Sequence, residues 1–202
     1  MINLTKNDLI AKGSERACYI NPNDNTKVIK IIYSKGTHNQ QNHLEYIYMQ
    51  YLLKKNKDLS LLTQCYGYVK TNLGDGLVFD RVLDFDLTPS KSLRYYIANK
   101  LISIECQQQL LDHLKDYLEK NGILFIDTSL TNIFCQRTNS KEYKLIIVDG
   151  LGAKRMGIKF WLYRHFQFYA KYKMKRQWSK LMKMYKADVK RVALGERPIT
   201  RI

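Results

Sequence analysis

This chain of 202 residues is 45% hydrophobic, which is enough to bury the core of one ordinary domain or of two small lobes. It has no run of about 18 apolar residues and no apolar stretch of a secretory signal at its N-terminus. The sequence therefore predicts a cytoplasmic protein without a membrane-spanning helix. Four widely separated cysteines without a Cys-x-x-Cys pair argue against zinc and predict reduced thiols. The formal net charge is +16, and its concentration near the C-terminus predicts a partner with negative charge for that segment alone.

The first eighty residues have the pattern strand, strand, helix, strand, strand. The elements are predicted at residues 17–33, as two strands around a turn at 21–25; at 39–55, as a helix; and at 64–70 and 76–82, as two strands around a turn at 74–76. This order predicts a mostly β lobe that covers residues 1–82.

Helices dominate the rest of the chain. They are predicted at residues 92–101 and 104–121, with Gly122 at the position of a C-terminal cap, and throughout the chain after Gly157. Between them, two apolar runs at 133–136 and 144–148 predict a hairpin. Residues 83–202 are therefore predicted to form a mostly α lobe.

Three polar side chains interrupt the most hydrophobic part of the sequence. Asp127 and Asn132 precede the first strand of the predicted hairpin and Asp149 follows the second, so the hairpin should bring its two ends together. Two carboxylates and an amide at this spacing suit phosphoryl transfer: one carboxylate positions the acceptor hydroxyl, and the other side chains hold Mg²⁺. The alternative is that these residues cap turns and end a strand.

Lys30 occupies an unusual position for a lysine. The alternation of a strand places it on the same face as Val28 and Ile32, where its ammonium would enter apolar surroundings and need a counter-charge. Glu45, on the helix that follows, is the predicted partner. The alternative is a solvated lysine on an edge strand.

On these residues the chain resembles the bacterial PhoP-regulatory-network family (YrbL-type), which belongs to the protein-kinase-like superfamily. The resemblance covers most of the chain. The segments that carry it are Gly13-Ser14-Glu15-Arg16-x-Cys18-Tyr19, Val28-Ile29-Lys30-Ile31, Glu45 in its helix, Asp84-Phe85-Asp86, Tyr117 through Ile133, and Asp149-x-x-Gly152.

The resemblance implies an α+β, two-lobed protein-kinase-like fold and an ATP-dependent phosphotransferase that uses ATP and Mg²⁺. It also implies a role for each matching residue: Gly13, Ser14, Glu15 and Arg16 form the loop over the phosphates; Lys30 pairs with the α- and β-phosphates and is oriented by Glu45; Val78, Phe79, Asp80, Arg81 and Val82 are the adenine-binding hinge; Asp127 is the base; and Asn132 and Asp149 are the metal ligands.

Several departures from the kinase pattern narrow the predicted activity. The phosphate loop has one glycine, Phe125-Ile126 replaces the His-Arg before the catalytic aspartate, and no Ala-Pro-Glu platform follows Asp149. These departures favour a small-molecule, sugar or lipid-head-group hydroxyl as the acceptor over a protein. The alternative function is a non-catalytic kinase-like module that binds nucleotide or a partner and acts as a regulatory adaptor.

The segment Lys154–Arg191 carries most of the excess charge, with thirteen Lys or Arg residues against one acid, Asp188. Its apolar residues form two stripes at helical spacing, both predicted to face the core: Ile158, Trp161, Leu162, His165, Phe166 and Tyr169, then Trp178, Leu181, Met182, Tyr185 and Val189. The charged face predicts binding to an anionic membrane surface, which would place the protein peripherally at the inner membrane. A nucleic-acid surface is the less favoured alternative.

Overall fold

The computed structural model describes residues 1–34, 40–153, 155 and 157–199, with the backbone alone at 159, 164 and 167. This part of the chain is a mixed α+β protein with one five-stranded and one three-stranded antiparallel sheet. In chain order the strands and α-helices are β1 Leu9–Lys12, β2 Arg16–Asn21, β3 Asp24–Ile32, α1 Gln41–Lys54, β4 Cys65–Thr71, β5 Gly74–Asp80, β6 Lys91–Ser92, α2 Leu93–Ala98, α3 Ile104–Asn121, β7 Ile133–Arg137, β8 Tyr143–Ile147, α4 Ile158–His165 and α5 Gln167–Ala193.

The larger sheet has the order β1-β2-β3-β5-β4. Its third strand is buried on both faces: Val28 enters the main core, while Ile29 and Ile31 pack with Leu4 on the other side. This double burial explains the nearly unbroken apolar run of β3.

The turn between β4 and β5 lies at residues 72–73, not at 74–76 as predicted. Thr71 pairs with Gly74 across the two-residue turn, and the Thr71 hydroxyl donates to the Gly74 carbonyl at 2.6 Å. Gly74 is the first residue of β5, directly after the turn. It supplies the positive φ of +109° that this connection requires.

Local signals define α3. The Ser103 hydroxyl accepts from the Cys106 backbone N–H at 3.2 Å at its start, and Gly122 adopts the left-handed conformation just past its end. Leu111, Leu114 and Leu118 are fully buried along one face. The predicted helix and its glycine cap are confirmed.

One buried cluster connects the two sheets. It includes Phe79 of the larger sheet, Leu44 of α1, Ile147 of β8 and Leu181 of α5. The backbone of Ile147 also bonds to the segment before β4, through Leu61 at 2.9 Å and Thr63 at 3.1 Å. The larger sheet is formed by residues 9–80 and the smaller by 91–147. The division into lobes at 1–82 and 83–202 stays a prediction.

The prediction that the first apolar stripe of the basic segment faces the core is wrong. Ile158, Trp161, Phe166 and Tyr169 are exposed, and His165 is exposed with its ring stacked on Trp161 at 4.6 Å between centroids. The helix breaks at Phe166, which has extended backbone angles and separates α4 from α5. A single helical phase therefore does not run through both helices. Lys154 lies outside the described residues.

The second stripe does face the core. Trp178, Leu181 and Tyr185 are buried, and Met182 and Val189 pack against the same cluster. None of the helices within the described ranges is both long enough and apolar enough to cross a membrane.

Candidate functional site

A buried ion pair joins the larger sheet to α1. The Lys30 ammonium lies 3.1 and 3.2 Å from the two carboxylate oxygens of Glu45, and it donates to the Val148 carbonyl at 2.8 Å. It also lies 4.1 Å from the centroid of the Phe79 ring. Lys30 is 7% exposed and Glu45 4%, so the contact pairs two opposite charges that would each be costly to bury alone. The predicted pair is present.

Arg16 makes contacts that the sequence analysis missed. Its guanidinium donates to Glu45 at 2.6 Å and to Asn42 Oδ1 at 3.1 Å, and its other terminal nitrogen contacts Asp149 Oδ1. Arg16 thus bridges the helix carboxylate and the predicted metal ligand. The register gives a signal for this position, because Arg16 pairs with Ile32 and faces the same side of the sheet as Lys30.

Asp149 lies in a strongly positive environment. Its Oδ1 accepts from the Gly150 backbone N–H at 2.6 Å and lies 3.9 Å from the Lys30 ammonium. Burial by itself raises the pKa of Asp149, but the positive charges of Lys30 and Arg16 outweigh it and lower the pKa to about 2. Asp149 is therefore a carboxylate at neutral pH, as a metal ligand must be.

The hairpin of β7 and β8 brings its two ends together. Ile133 pairs with Ile147, and the Val148 N–H donates to the Asn132 carbonyl at 3.0 Å, so Asn132 lies beside the residue that precedes Asp149. The Asn132 side-chain nitrogen donates to the Asp127 carbonyl at 2.9 Å, which leaves the amide oxygen as the end suited to a cation. The predicted juxtaposition is present.

Gly150 allows the turn after Asp149 to approach the segment that carries Asp127. The Gly150 carbonyl accepts from the N–H groups of Ile126 at 2.8 Å and Asp127 at 3.0 Å. Gly150 has a φ of +86°, and a Cβ on it would lie 2.8 Å from the Asp127 carbonyl oxygen. A glycine is thus required at position 150 by its positive φ and by the close backbone approach.

We expect Gly150→Ala to destabilise the protein more than Gly195→Ala. Gly195 also has a positive φ, +79°, but a Cβ there meets nothing within 4 Å, so its replacement costs backbone strain alone, about 1–2 kcal/mol. The Gly150 variant must also displace the Asp127 backbone. Chemical denaturation of the two variants measures the difference, and equal losses would show that the close approach is unimportant.

Tyr48 links α1 to the same region. Its hydroxyl accepts from the Leu124 N–H at 2.7 Å, and its ring lies where a Cβ on Gly152 would come within 2.8 Å. Gly152 in turn donates its N–H to the Leu124 carbonyl at 2.9 Å. The helix that carries Glu45 is thereby fixed against the segments that carry Asp127 and Asp149.

Part of the predicted site lines one cleft of about 320 Å³: Ser14, Glu15, Arg16, Glu45, Asp127 and Asp149. Gly13, Lys30 and Asn132 are not among the residues that line it in the described part of the chain. Ser14, Glu15 and Arg16 come from the loop and strand at its upper edge, and Asp127 and Asp149 come from the opposite side. The volume lies at the lower end of the range for small-molecule sites. The predicted phosphate loop, base and metal ligand therefore face the same space.

The residues of the predicted hinge make contacts within the larger sheet and its core. Phe79 is 1% exposed, and Asp80 accepts from the Lys27 ammonium and the Tyr66 hydroxyl, each at 2.9 Å. The Arg81 N–H donates to the Thr26 carbonyl at 2.8 Å. None of the five residues from Val78 to Val82 is among those that line the 320 Å³ cleft in the described part of the chain.

A cation at Asp149 needs ligands from outside the protein. Across the described ranges, no group of three or more His, Cys, Asp or Glu side chains could hold a metal by itself. Mg²⁺ commonly binds through one or two carboxylates together with water and substrate phosphates. The Asp149 carboxylate, together with the Asn132 amide at the paired end of the hairpin, provides the types of side chain that such a shared site uses.

The fold and the cleft define a mixed α+β protein with a buried Lys–Glu pair and a cleft lined by carboxylates. The chain belongs to the family described as PhoP regulatory network protein YrbL, whose family model matches residues 2–186. It is 32% identical over 155 residues to "Uncharacterized protein YrbL" of Escherichia coli (strain K12), which covers 75% of this chain and 74% of that protein. The same figures hold for the protein of that name from Shigella flexneri.

Proposed function

We propose that this protein is a cytoplasmic, ATP-dependent phosphotransferase with a two-lobed, protein-kinase-like fold. The observation that carries the proposal is that Glu45, the buried partner of Lys30, lines one cleft together with Asp127 and Asp149, while the Asn132 side chain bonds to the Asp127 backbone. In protein kinases a lysine of the third strand pairs with a glutamate of the following helix, and the catalytic-loop Asn and a later Asp hold the metal. The same residue types occur here in the same order and on the corresponding elements.

Each residue then has one task. Lys30, held by Glu45, binds the α- and β-phosphates, and Asp127 accepts a hydrogen bond from the acceptor hydroxyl and orients it. Asn132 and Asp149 would hold Mg²⁺, and the bound ion would supply positive charge to stabilise the transferred phosphoryl group.

Arg16 fits the role of a phosphate ligand that is paired with carboxylates when no phosphate is bound. Its guanidinium is paired with Asp149 and Glu45 in the structure. Guanidinium groups bind phosphate and carboxylate oxygens with the same fork geometry, so Arg16 can exchange Asp149 for a phosphate oxygen. The exchange would free an Asp149 oxygen for the cation.

The proposed acceptor is a hydroxyl of a small molecule, a sugar or a lipid head group. The chain lacks the arginine before Asp127 that would bind a phosphorylated activation loop, and it lacks the Ala-Pro-Glu signature of peptide-binding kinases. Those absences from the sequence support a non-protein acceptor.

A non-catalytic regulatory adaptor is the second candidate. The contact of Arg16 with Asp149 favours it, because a permanent ion pair there would keep the metal ligand neutralised. The family description, which names the PhoP regulatory network, also suits a regulatory protein. In this alternative the cleft binds nucleotide, or a partner covers it, without turnover.

Thermal unfolding with Mg-ATP tests nucleotide binding, which the phosphotransferase requires. We expect Mg-ATP to raise Tm, and ATP with chelator to raise it less, because a ligand that binds only the folded state stabilises it. Lys30→Met should abolish most of the shift. Lys27→Met is the matched control, since Lys27 lies on the same strand and also forms an ion pair, with Asp80 at 2.9 Å.

Two results would contradict this scheme. Absence of any Tm shift in the unmodified protein at millimolar Mg-ATP would show that the cleft does not bind nucleotide. Equal loss of the shift in the Lys30 and Lys27 variants would show that Lys30 has no special contact with the phosphates.

A further inference from the structure

Large apolar side chains are exposed together on α4 and at the start of α5. Ile158 is 79% exposed and Phe168 78%, so almost nothing in the described chain covers them. The other members of this group are about half exposed: Trp161, Phe166, Tyr169 and Tyr172. Single exposed apolar residues are ordinary, but six within fifteen residues form a patch that marks a binding surface.

The rings of this patch are organised by contacts with one another. The Trp161 ring stacks on His165 at 4.6 Å between centroids and meets the Phe166 ring edge-on at 5.8 Å. Phe168 and Tyr169 pack edge-on at 6.2 Å. The patch is therefore a built aromatic surface, not a set of independent side chains.

A row of basic side chains continues from the aromatic patch along α5. The outward positions of the helix follow at intervals of three and four residues: Phe168, Tyr172, Arg176, Ser179, Lys183, Lys186 and Lys190, all exposed. The Arg176 guanidinium lies 5.9 Å from the Tyr172 ring, where the aromatic part meets the basic part.

The outer surface of these two helices carries no opposing charge. The only acid between Ile158 and Ala193 is Asp188. Asp188 is fully buried, and its carboxylate pairs with Arg94 of α2 at 2.9 Å. Burial removes the one carboxylate of α4 and α5 from their outer surface, which the sequence alone does not reveal.

We propose that α4 and the outward face of α5 bind the surface of a bilayer that contains anionic lipid. The aromatic and aliphatic side chains would enter the boundary between head groups and acyl chains, and Arg176, Lys183, Lys186 and Lys190 would contact the anionic head groups. The surface lies on elements other than those that carry Lys30, Asp127 and Asp149. The inference therefore does not depend on the proposed phosphotransferase activity.

Two features favour a bilayer over nucleic acid. A nucleic-acid backbone would engage the cations but would leave the aliphatic Ile158 exposed to water, whereas a bilayer interface accommodates it. A groove of about 740 Å³ between α1 and α4 adjoins the patch at His165 and adds Tyr46, Ile47, Lys54 and Lys55. Like the surface of α4 and α5, the groove combines apolar side chains with basic ones.

Sedimentation with lipid vesicles tests the proposal on the full chain. We expect the protein to bind vesicles of phosphatidylcholine mixed with phosphatidylglycerol, to bind pure phosphatidylcholine weakly, and to be released as salt rises. The charge variant is Lys183→Gln with Lys186→Gln and Lys190→Gln, and it should bind about 10-fold to 100-fold more weakly at low salt. The apolar variant, Phe168→Ser with Tyr172→Ser, should also bind more weakly.

A control of equal charge change is Lys6→Gln with Lys100→Gln and Lys141→Gln, three exposed lysines outside α4 and α5. It should keep most of the vesicle binding. All variants alter exposed side chains, and their Tm values with and without Mg-ATP show whether they fold and whether the cleft is intact. If a triple variant unfolds, Lys186→Gln alone and the salt dependence of the unmodified protein serve instead.

Several outcomes would overturn the proposal. They are no binding of the unmodified protein to anionic vesicles, equal weakening by the control variant, and tighter binding to duplex DNA than to anionic vesicles at matched salt. A change of oligomeric state in the apolar variant without a change in vesicle binding would assign the patch to contact between copies of the chain. Failure of the Mg-ATP shift in the unmodified protein would instead count only against the proposed function.

Discussion

Asp127→Asn should reduce phosphoryl transfer by about 10²-fold to 10⁴-fold, the range for loss of a positioned acid–base group. Asn keeps the shape of the side chain but cannot accept the proton of the acceptor hydroxyl. Binding of Mg-ATP should be nearly unchanged, because Lys30 and Asp149 remain. The measurement is ADP formation over a panel of sugar, small-molecule, lipid and protein acceptors, together with the Tm shift by Mg-ATP.

Asp116→Asn is the matched control for this prediction. Asp116 is an exposed acid on α3, so its replacement removes the same charge without touching the cleft. Unchanged turnover in the Asp127 variant would assign that residue to turn formation. No turnover by the unmodified protein with any acceptor, despite a Tm shift by Mg-ATP, would favour the regulatory adaptor.

Asp188→Ala should lower the free energy of unfolding by about 3–5 kcal/mol, the usual cost of removing one partner from a buried ion pair. The Asp188 carboxylate contacts Arg94 at 2.9 Å, and both residues are fully buried between α2 and α5. Within the described chain, Nε and Nη1 of Arg94 have no hydrogen-bond partner. Burial lowers the pKa of Arg94 because it disfavours the charged guanidinium, and Asp188 opposes that effect. Loss of Asp188 would therefore leave an uncompensated charge in the core.

Urea denaturation of three variants separates this effect from general loss of an ion pair. Asp75→Ala breaks the exposed Lys70–Asp75 pair at 2.8 Å and should have little effect. Arg94→Leu with Asp188→Leu replaces both charges by apolar side chains and should recover much of the stability lost in Asp188→Ala. A loss in Asp188→Ala no larger than that in Asp75→Ala would show that the pair is not important for stability.

The local sequence pattern was sufficient to predict those elements whose ends and buried face depend on their own residues. Ser103 and Gly122 define the ends of α3, and the leucines between them define its buried face. The apolar runs of β7 and β8 specify a hairpin, and a hairpin must place Asn132 beside the chain that leads to Asp149. The inward position of Lys30 followed from strand alternation, and the need of a buried ammonium for a counter-charge pointed to Glu45.

The sequence by itself therefore determined most of the elements, the faces of several of them, and the order of the polar residues along the chain. It did not predict β1, β6 or the break between α4 and α5. Tertiary structure alone decided which surfaces meet: that Arg16 reaches both Glu45 and Asp149, that Gly150 lies against the Asp127 backbone, and that Asp188 is buried. The exposed patch on α4 shows the reason most clearly. Periodicity gives a helix an apolar face, but whether that face is buried depends on whether another element covers it, and that depends on contacts between residues distant in sequence.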